Sequence, residues 1–519
     1  MSYAYEAYPG EFEAVSAIAP EPLASTFPLP RSKFIPLPFA VPTLICLISW
    51  LAGGIPLMTD LGFVTLTLIC LAYLVVEIVK FPRRFGIGGV LLFGGVLVWF
   101  CDDYFSTWFG FNFSSGMAPV QPELIARVAC YYSLFVGMAT VGLLIQKGNW
   151  LVRLILRAPE PGSRNFYLIS WVVLVIIGLV PFAFFTEEGL IKGMIDAAFG
   201  NVLGTYVHWT VGRTGNFNYN WGAYVAQVLA IGEFSSVFGI FYAIFICKSK
   251  LLKILPWLNW VFWLLCIFQT GRRGDIAALT IPATGLLYIK LQLNAGVSSG
   301  RPRHSVLAYV IVAVLLLGTL FVVQFQGYFR DLGLVAADYS QFDLFKNQGN
   351  SMFSESLAGF AEIPSHHPFF RDSIPGEGAI LALPETFAWF CIGPIPRALW
   401  VTKPTDPAMI WYNAIVTGSE GLEGTTVSQG IVGHWYFRYG TIGMIEGAML
   451  FGWLMGITER VLQNSGDKPL GILYSLVLMA WLFREFRNFY FGELYGWMIG
   501  ALAFAILVTL FSPASAQKE

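Results

Sequence analysis

Arginines gather in short segments framed by Gly, Pro and aromatics, and a guanidinium holds phosphate through two parallel hydrogen bonds. QTGRRGDIAAL (Gln269 to Leu279) sets Arg272 and Arg273 between Gly271 and Gly274, just before an apolar run. The N-terminus of the helix that follows would add its amides and dipole to an anion site. PIPRALWVTKP (Pro394 to Pro404) holds Arg397 and Lys403 on a backbone stiffened by three prolines, with Trp400 between them. GHWYFRYG (Gly433 to Gly440) places His434 and Arg438 four residues apart, hence on one helical face, with Glu446 two turns further along about the same face. WLFREFRNFYFGELYGW (Trp481 to Trp497) carries Arg484 and Arg487 three residues apart, with Glu485 and Glu493 able to pair with them. Arg213 stands just before the aromatic, Asn-rich patch NFNYNW (Asn216 to Trp221).

This chemistry is anion binding combined with proton transfer. SHHPFFRDS (Ser365 to Ser373) adds His366 and His367, so these two and His434 are the candidate bases for an acceptor hydroxyl. Trp435, Tyr436 and Phe437 around His434 and Arg438 suit a sugar hydroxyl beside a phosphate, and Trp400 offers a further aromatic face beside Arg397. Each cluster also has a structural reading. Arg272 and Arg273 fit an interfacial anchor paired with Asp275, and Arg397 and Lys403 fit a rigid turn against lipid headgroups. The His434 segment fits an aromatic interface belt, the Arg484 segment a buried ion-pair clamp, and the paired histidines a plain loop. No third ligand stands at metal-site spacing from the histidines, so no metal is expected.

The elements that must position these residues are membrane helices. The 519 residues are 56% hydrophobic and 12% charged, with mean hydropathy +0.65, and a soluble domain carries roughly twice that charge. Net charge −1 implies no bulk affinity for nucleic acid. The seven cysteines are scattered through apolar runs without CxxC spacing and read as small core hydrophobes. There is no Walker motif, so ATP is not expected to drive the protein directly.

Apolar runs of the length needed to cross ~30 Å of hydrocarbon fall near 35–53, 57–79, 86–102, 123–146, 167–186, 221–247, 253–270, 275–293, 305–325, 429–457, 469–484 and 489–511. The expected fold is therefore an all-α polytopic membrane protein of about twelve spans. Lys80, Arg83 and Arg84 follow the second span; Lys147, Arg153, Arg157 and Arg164 the fourth; Lys248 and Lys250 the sixth. Arg301 and Arg303 follow the eighth, and Arg460 and Lys468 the tenth. All five loops are even-numbered exits, so the positive-inside rule puts them in the cytoplasm together with both termini. Residues 1–34 then form a cytoplasmic tail, 35–325 carry spans one to nine, 429–511 carry spans ten to twelve, and 512–519 close the chain. Residues 326–428 form a long outer loop whose AILALPETFAWFCIG piece (Ala379 to Gly393) is expected to lie on the membrane surface. All the arginine clusters fall on the outer face, against the usual bias. An anionic ligand at that surface accounts for them most economically.

In its dozen spans, long outer loop, Arg-containing GRRGD turn, PIPRALWVTKP segment and Gly-rich SQGIVGHWYFRYGTIG (Ser428 to Gly443), the chain resembles the bacterial O-antigen and capsule polymerases. These are the Wzy-type oligosaccharide repeat-unit polymerases, related to O-antigen ligases. The resemblance implies a fold similar to membrane-embedded C-type glycosyltransferases in the bacterial inner membrane. It implies transfer of a growing glycan from undecaprenyl pyrophosphate to another lipid-linked unit, in O-antigen, capsule or exopolysaccharide synthesis. No cofactor, metal or nucleotide sugar is implied. Arg272 or Arg273 and Arg397 would hold the pyrophosphate. The partners implied are lipid-linked oligosaccharide, membrane lipid, and the chain-length regulator and flippase of the same pathway. An O-antigen ligase and a flippase of lipid-linked sugars are the rival expectations.

Overall fold

The computed structural model describes residues 36–80, 87–101, 104–105, 121–145, 149–159, 161, 163–184, 189–200, 222–269, 273–297, 310, 314, 382–392, 395, 400, 430–465, 469–486, 489 and 492–511. Every regular element among the described residues is a helix. In chain order these are α1 (Ala40–Leu51), α2 (Pro56–Lys80), α3 (Ile87–Val96), α4 (Pro122–Leu144), α5 (Asn149–Leu156), α6 (Arg164–Leu179) and α7 (Leu190–Phe199). There follow α8 (Gly222–Phe241), α9 (Ile254–Gln269), α10 (Arg273–Val297), α11 (Ala382–Ile392), α12 (Gly430–Gln463), α13 (Pro469–Glu485) and α14 (Gly492–Phe511). Both tails, most of the 326–428 loop, and the expected ninth span apart from residues 310 and 314 lie outside the described residues.

Local signals explain several helix starts. α4 begins with Pro122, whose missing amide costs nothing at a helix start, and places Glu123 in the first turn. α6 is capped by Ser163, whose hydroxyl accepts from the Phe166 amide at 3.3 Å. α12 is kinked at Gly440, where φ is +67°, a conformation that disfavours any residue with a Cβ.

Six described helices are long and apolar enough to cross a membrane: Pro56–Val76, Pro122–Leu144, Arg164–Ala183, Val228–Ile246, Tyr439–Gln463 and Leu494–Phe511. Shorter apolar helices cover Leu37–Leu51, Ile87–Cys101, Ile254–Phe268 and Ile276–Leu291. The side chains that face outward include Leu37, Leu57, Ile191 and Leu510, each at least two-thirds exposed, as a hydrocarbon surround requires. This is a helical membrane protein.

Two large hydrophobic cores divide the bundle, and a small third one joins Val152 of α5 to Ile457 and Val461 of α12. Of the large cores, one joins α1, α2, α3, α4 and α12, and the other joins α6, α8, α9, α10 and α14. α13 belongs to both, giving Trp481 and Leu482 to the first core and Leu473 and Leu476 to the second. Between α4 and α12 the backbones touch, because Gly142 and Gly452 leave no side chain in the way. Buried polar groups bridge helices, as where the Trp171 indole donates to the Ser235 carbonyl at 3.1 Å and the Ser475 hydroxyl to the Thr458 carbonyl at 2.7 Å. Six cysteines are buried in the cores, and Cys391 on α11 is exposed.

Contacts sort the helix ends into two groups. At one end Arg460 of α12 donates to the Ile145 carbonyl just past α4. At the other, Arg127 near the start of α4 meets Trp50 near the end of α1 and Tyr436 near the start of α12. We call this second one the Trp50 end.

Candidate functional site

The opening of α12 is built by one long-range backbone bond. Gly430 takes a φ of +68°, and the next amide, Ile431, donates to the Phe486 carbonyl at 3.0 Å, just past α13. His434 lies one turn further and is 5% exposed. Its ring stands edge-on to Trp435 at 5.6 Å and 6.2 Å from Phe489. Trp435 is wholly buried against Phe489 at 5.3 Å, and Phe489 also meets Trp481 of α13 at 5.9 Å. Gly447 makes room for the Trp435 indole, since a Cβ there would come within 2.1 Å of the ring.

Arg484, in the last turn of α13, is 9% exposed. It borders a cavity of about 10 Å³ with Ala278 of α10, Trp481 and Trp497 of α14, a space at the lower limit for one water. Glu485 beside it is fully buried. α10 packs along α13, and Ala278, five residues after Arg273, borders the same cavity as Arg484, so the start of α10 lies near the end of α13.

A second cationic feature was not singled out in the sequence. Arg127 of α4 is half-buried, with its guanidinium carbon 5.5 Å from the Trp50 ring, 5.8 Å from Tyr131 and 5.6 Å from Tyr436. One Nη also donates to the Tyr436 hydroxyl. Rings around a guanidinium use their negative faces, and each such contact stabilises by about 0.5–2 kcal/mol. The signal available in the sequence was an ionisable residue inside an apolar span.

No family model, curated protein or solved structure matches this chain.

Of the residues expected at the site, His434, Trp435 and Arg484 are placed with their side chains: the rings of His434 and Trp435 meet Phe489, which meets Trp481, and Arg484 lines a cavity with Trp481. Trp400 is half-buried. Arg273 and Arg438 have helical backbone, but their side chains lie outside the description. Arg213, Arg272, His366, His367, Arg397, Lys403 and Arg487 lie outside the described residues. One expectation needs correcting. The single face projected from His434 and Arg438 to Glu446 does not run through, because the non-helical φ and ψ at Gly440 break the 3.6-residue register between them. Among the described residues, no three His, Cys, Asp or Glu side chains gather as they would around a metal ion.

A buried imidazole among aromatic rings can take a proton in a site that excludes water, and a buried guanidinium can stabilise negative charge that develops beside it.

Proposed function

We propose that this protein is a membrane glycosyltransferase that polymerises polyprenyl-pyrophosphate-linked oligosaccharide units at the outer face of the bacterial inner membrane. One observation carries the reading: the His434 opening of α12, the Arg484 end of α13 and the start of α10 come together at one end of the bundle. The charge pattern of the short loops assigns that end to the outside, within the twelve-span topology read from the sequence. The leaving pyrophosphate already activates the anomeric carbon, so the protein's task is to orient donor and acceptor and to stabilise the departing charge. His434 is the base that takes the acceptor proton. Arg484 contributes positive charge at the pyrophosphate, together with Arg272, Arg273, Arg397 and Arg487 of the adjoining segments. Arg438, Lys403 and Arg213 complete the cationic rim, and Trp435 and Trp400 shape the sugar site.

The test is direct. Purified full-length protein in nanodiscs, given lipid-linked repeat units and no nucleotide sugar, should build a ladder of longer glycans. Movement of intact lipid-linked units across the bilayer, with no ladder, would overturn the proposal in favour of a flippase.

A further inference from the structure

Arg127 lies about two helical turns beyond one end of an apolar groove. Ala40, Leu44 and Leu47 of α1 face Leu134, Met138 and Val141 of α4 across a space of about 380 Å³ that opens sideways, with Leu44 56% exposed. Both walls are helical stripes. Residues 127, 131, 134, 138 and 141 recur at helical spacing on α4, and 40, 44, 47 and 50 do so on α1. The cage of Trp50, Tyr131 and Tyr436 around Arg127 therefore continues the line of the groove, about 10 Å beyond Leu134 at 1.5 Å per residue. Arg127 lies five residues into α4, a depth from which a long cationic side chain reaches the headgroup region while tryptophan and tyrosine mark the interface.

We infer that this groove is the binding site of one anionic membrane phospholipid, with an acyl chain between α1 and α4 and its phosphodiester on Arg127. Three features identify that occupant. The groove is open along its side to the hydrocarbon, where exposed Val41, Leu44 and Ile48 flank it. Arg127 is the sole Lys or Arg in α1 and α4, which matches the single charge of a phosphodiester rather than the several charges of a pyrophosphate. Tyr436 and His434 are two residues apart and so point to opposite sides of α12. The groove accordingly lies across that helix from the His434 site. The site does not depend on the reaction proposed above.

Native mass spectrometry of the delipidated full-length protein reads this out, with phosphatidylglycerol, a diacylglycerol of the same chains and polyprenyl monophosphate as probes. Wild type should hold one phosphatidylglycerol about tenfold more tightly than the diacylglycerol, the scale of one charge-assisted hydrogen bond. Arg127→Gln should abolish that preference. Ala40→Phe, which fills the groove away from the cage, should weaken both lipids while leaving the helical circular dichroism unchanged. The inference is overturned by equal binding of the two lipids to wild type, by Arg127→Gln protein that is folded and still prefers phosphatidylglycerol, or by Ala40→Phe protein that binds both lipids as wild type does. Polyprenyl phosphate displacing phosphatidylglycerol at lower concentration would also overturn it.

Discussion

Ile431 donates its backbone amide to the carbonyl of Phe486 at 3.0 Å, locking the opening of α12 onto the end of α13. His434 follows the donor by one turn, and Arg484 precedes the acceptor by two residues. A main-chain bond of this kind sets the relative position of two side chains without spending either of them. On the function proposed above, such preorganisation of His434 and Arg484 is what a displacement with an activated leaving group requires.

The base assignment predicts a specific loss. His434→Gln keeps a planar polar group in the buried slot but cannot accept a proton at working pH, so glycan elongation should fall about 10²–10⁴-fold. The sign of the pH effect follows from the same chemistry. A protonated imidazole cannot act as base, so the wild-type rate falls on acidification. Initial rates of ladder formation across pH should show that acidic limb in wild type and its disappearance in the variant. An unchanged limb in His434→Gln would transfer the role to another group.

Arg484 makes a different prediction, because lysine keeps the charge but loses the planar fork. Arg484→Lys should lower kcat/KM by about tenfold or more, and inorganic pyrophosphate should inhibit the variant less than it inhibits wild type. Inhibition by pyrophosphate that is identical in the two proteins would remove Arg484 from the leaving-group site.

Much of this arrangement was legible in the chain, and the exceptions have physical reasons. Apolar runs and the cations of short loops predicted helices wherever α1 to α4, α6, α8 to α10 and α12 to α14 are described. They do so because each run must satisfy its backbone internally in hydrocarbon. The pairing of His434 with the end of α13 was not legible, since it rests on the Ile431–Phe486 bond between distant segments that carry no mark of it. Arg127 was hidden because one cation barely alters the apolar average of its span, and its cage is assembled from three separate helices. The break at Gly440 was equally silent, as glycine alone does not announce a kink. Short α5 and α7 lie outside the expected spans, and α7 carries an i,i+4 ion pair between Lys192 and Asp196 at 3.1 Å.

Tyr104 gives a stability prediction with a defined pH direction. Its hydroxyl donates to Asp60 Oδ1, and its ring stacks on Phe63 with centroids 3.9 Å apart. Burial first, and then the bond to Asp60, push the phenol above its ordinary value of about 10. The folded value exceeds the unfolded one, so the protonated phenol contributes its full stability below about pH 10 and loses it as the pH rises. Tyr104→Phe should cost about 1–3 kcal/mol at pH 8. Above about pH 10 the gap between variant and wild type should narrow. Unfolding midpoints in detergent at the two pH values would show this, and a constant gap would refute it.

The contact between α4 and α12 yields the sharpest structural test. A Cβ at Gly452 would sit 1.8 Å from the Ala139 carbonyl oxygen, and one at Gly142 would sit 2.1 Å from that of Met449. Both obstacles are backbone atoms, so no side-chain rotation relieves them and the helices must separate. Gly452→Ala and Gly142→Ala should each lower stability by about 2 kcal/mol or more, overpacking outweighing the gain of about 1 kcal/mol in helix propensity. Gly94 of α3 is the control, since a Cβ there meets nothing within 4 Å. Gly94→Ala should therefore keep the propensity gain and melt at or above the wild-type temperature. Equal melting of the Gly452→Ala and Gly94→Ala proteins would mean that α4 and α12 are not in backbone contact. Separating those helices would also shift Tyr436 relative to Arg127 across the same interface, so the two destabilised variants should lose their phosphatidylglycerol preference together with their stability.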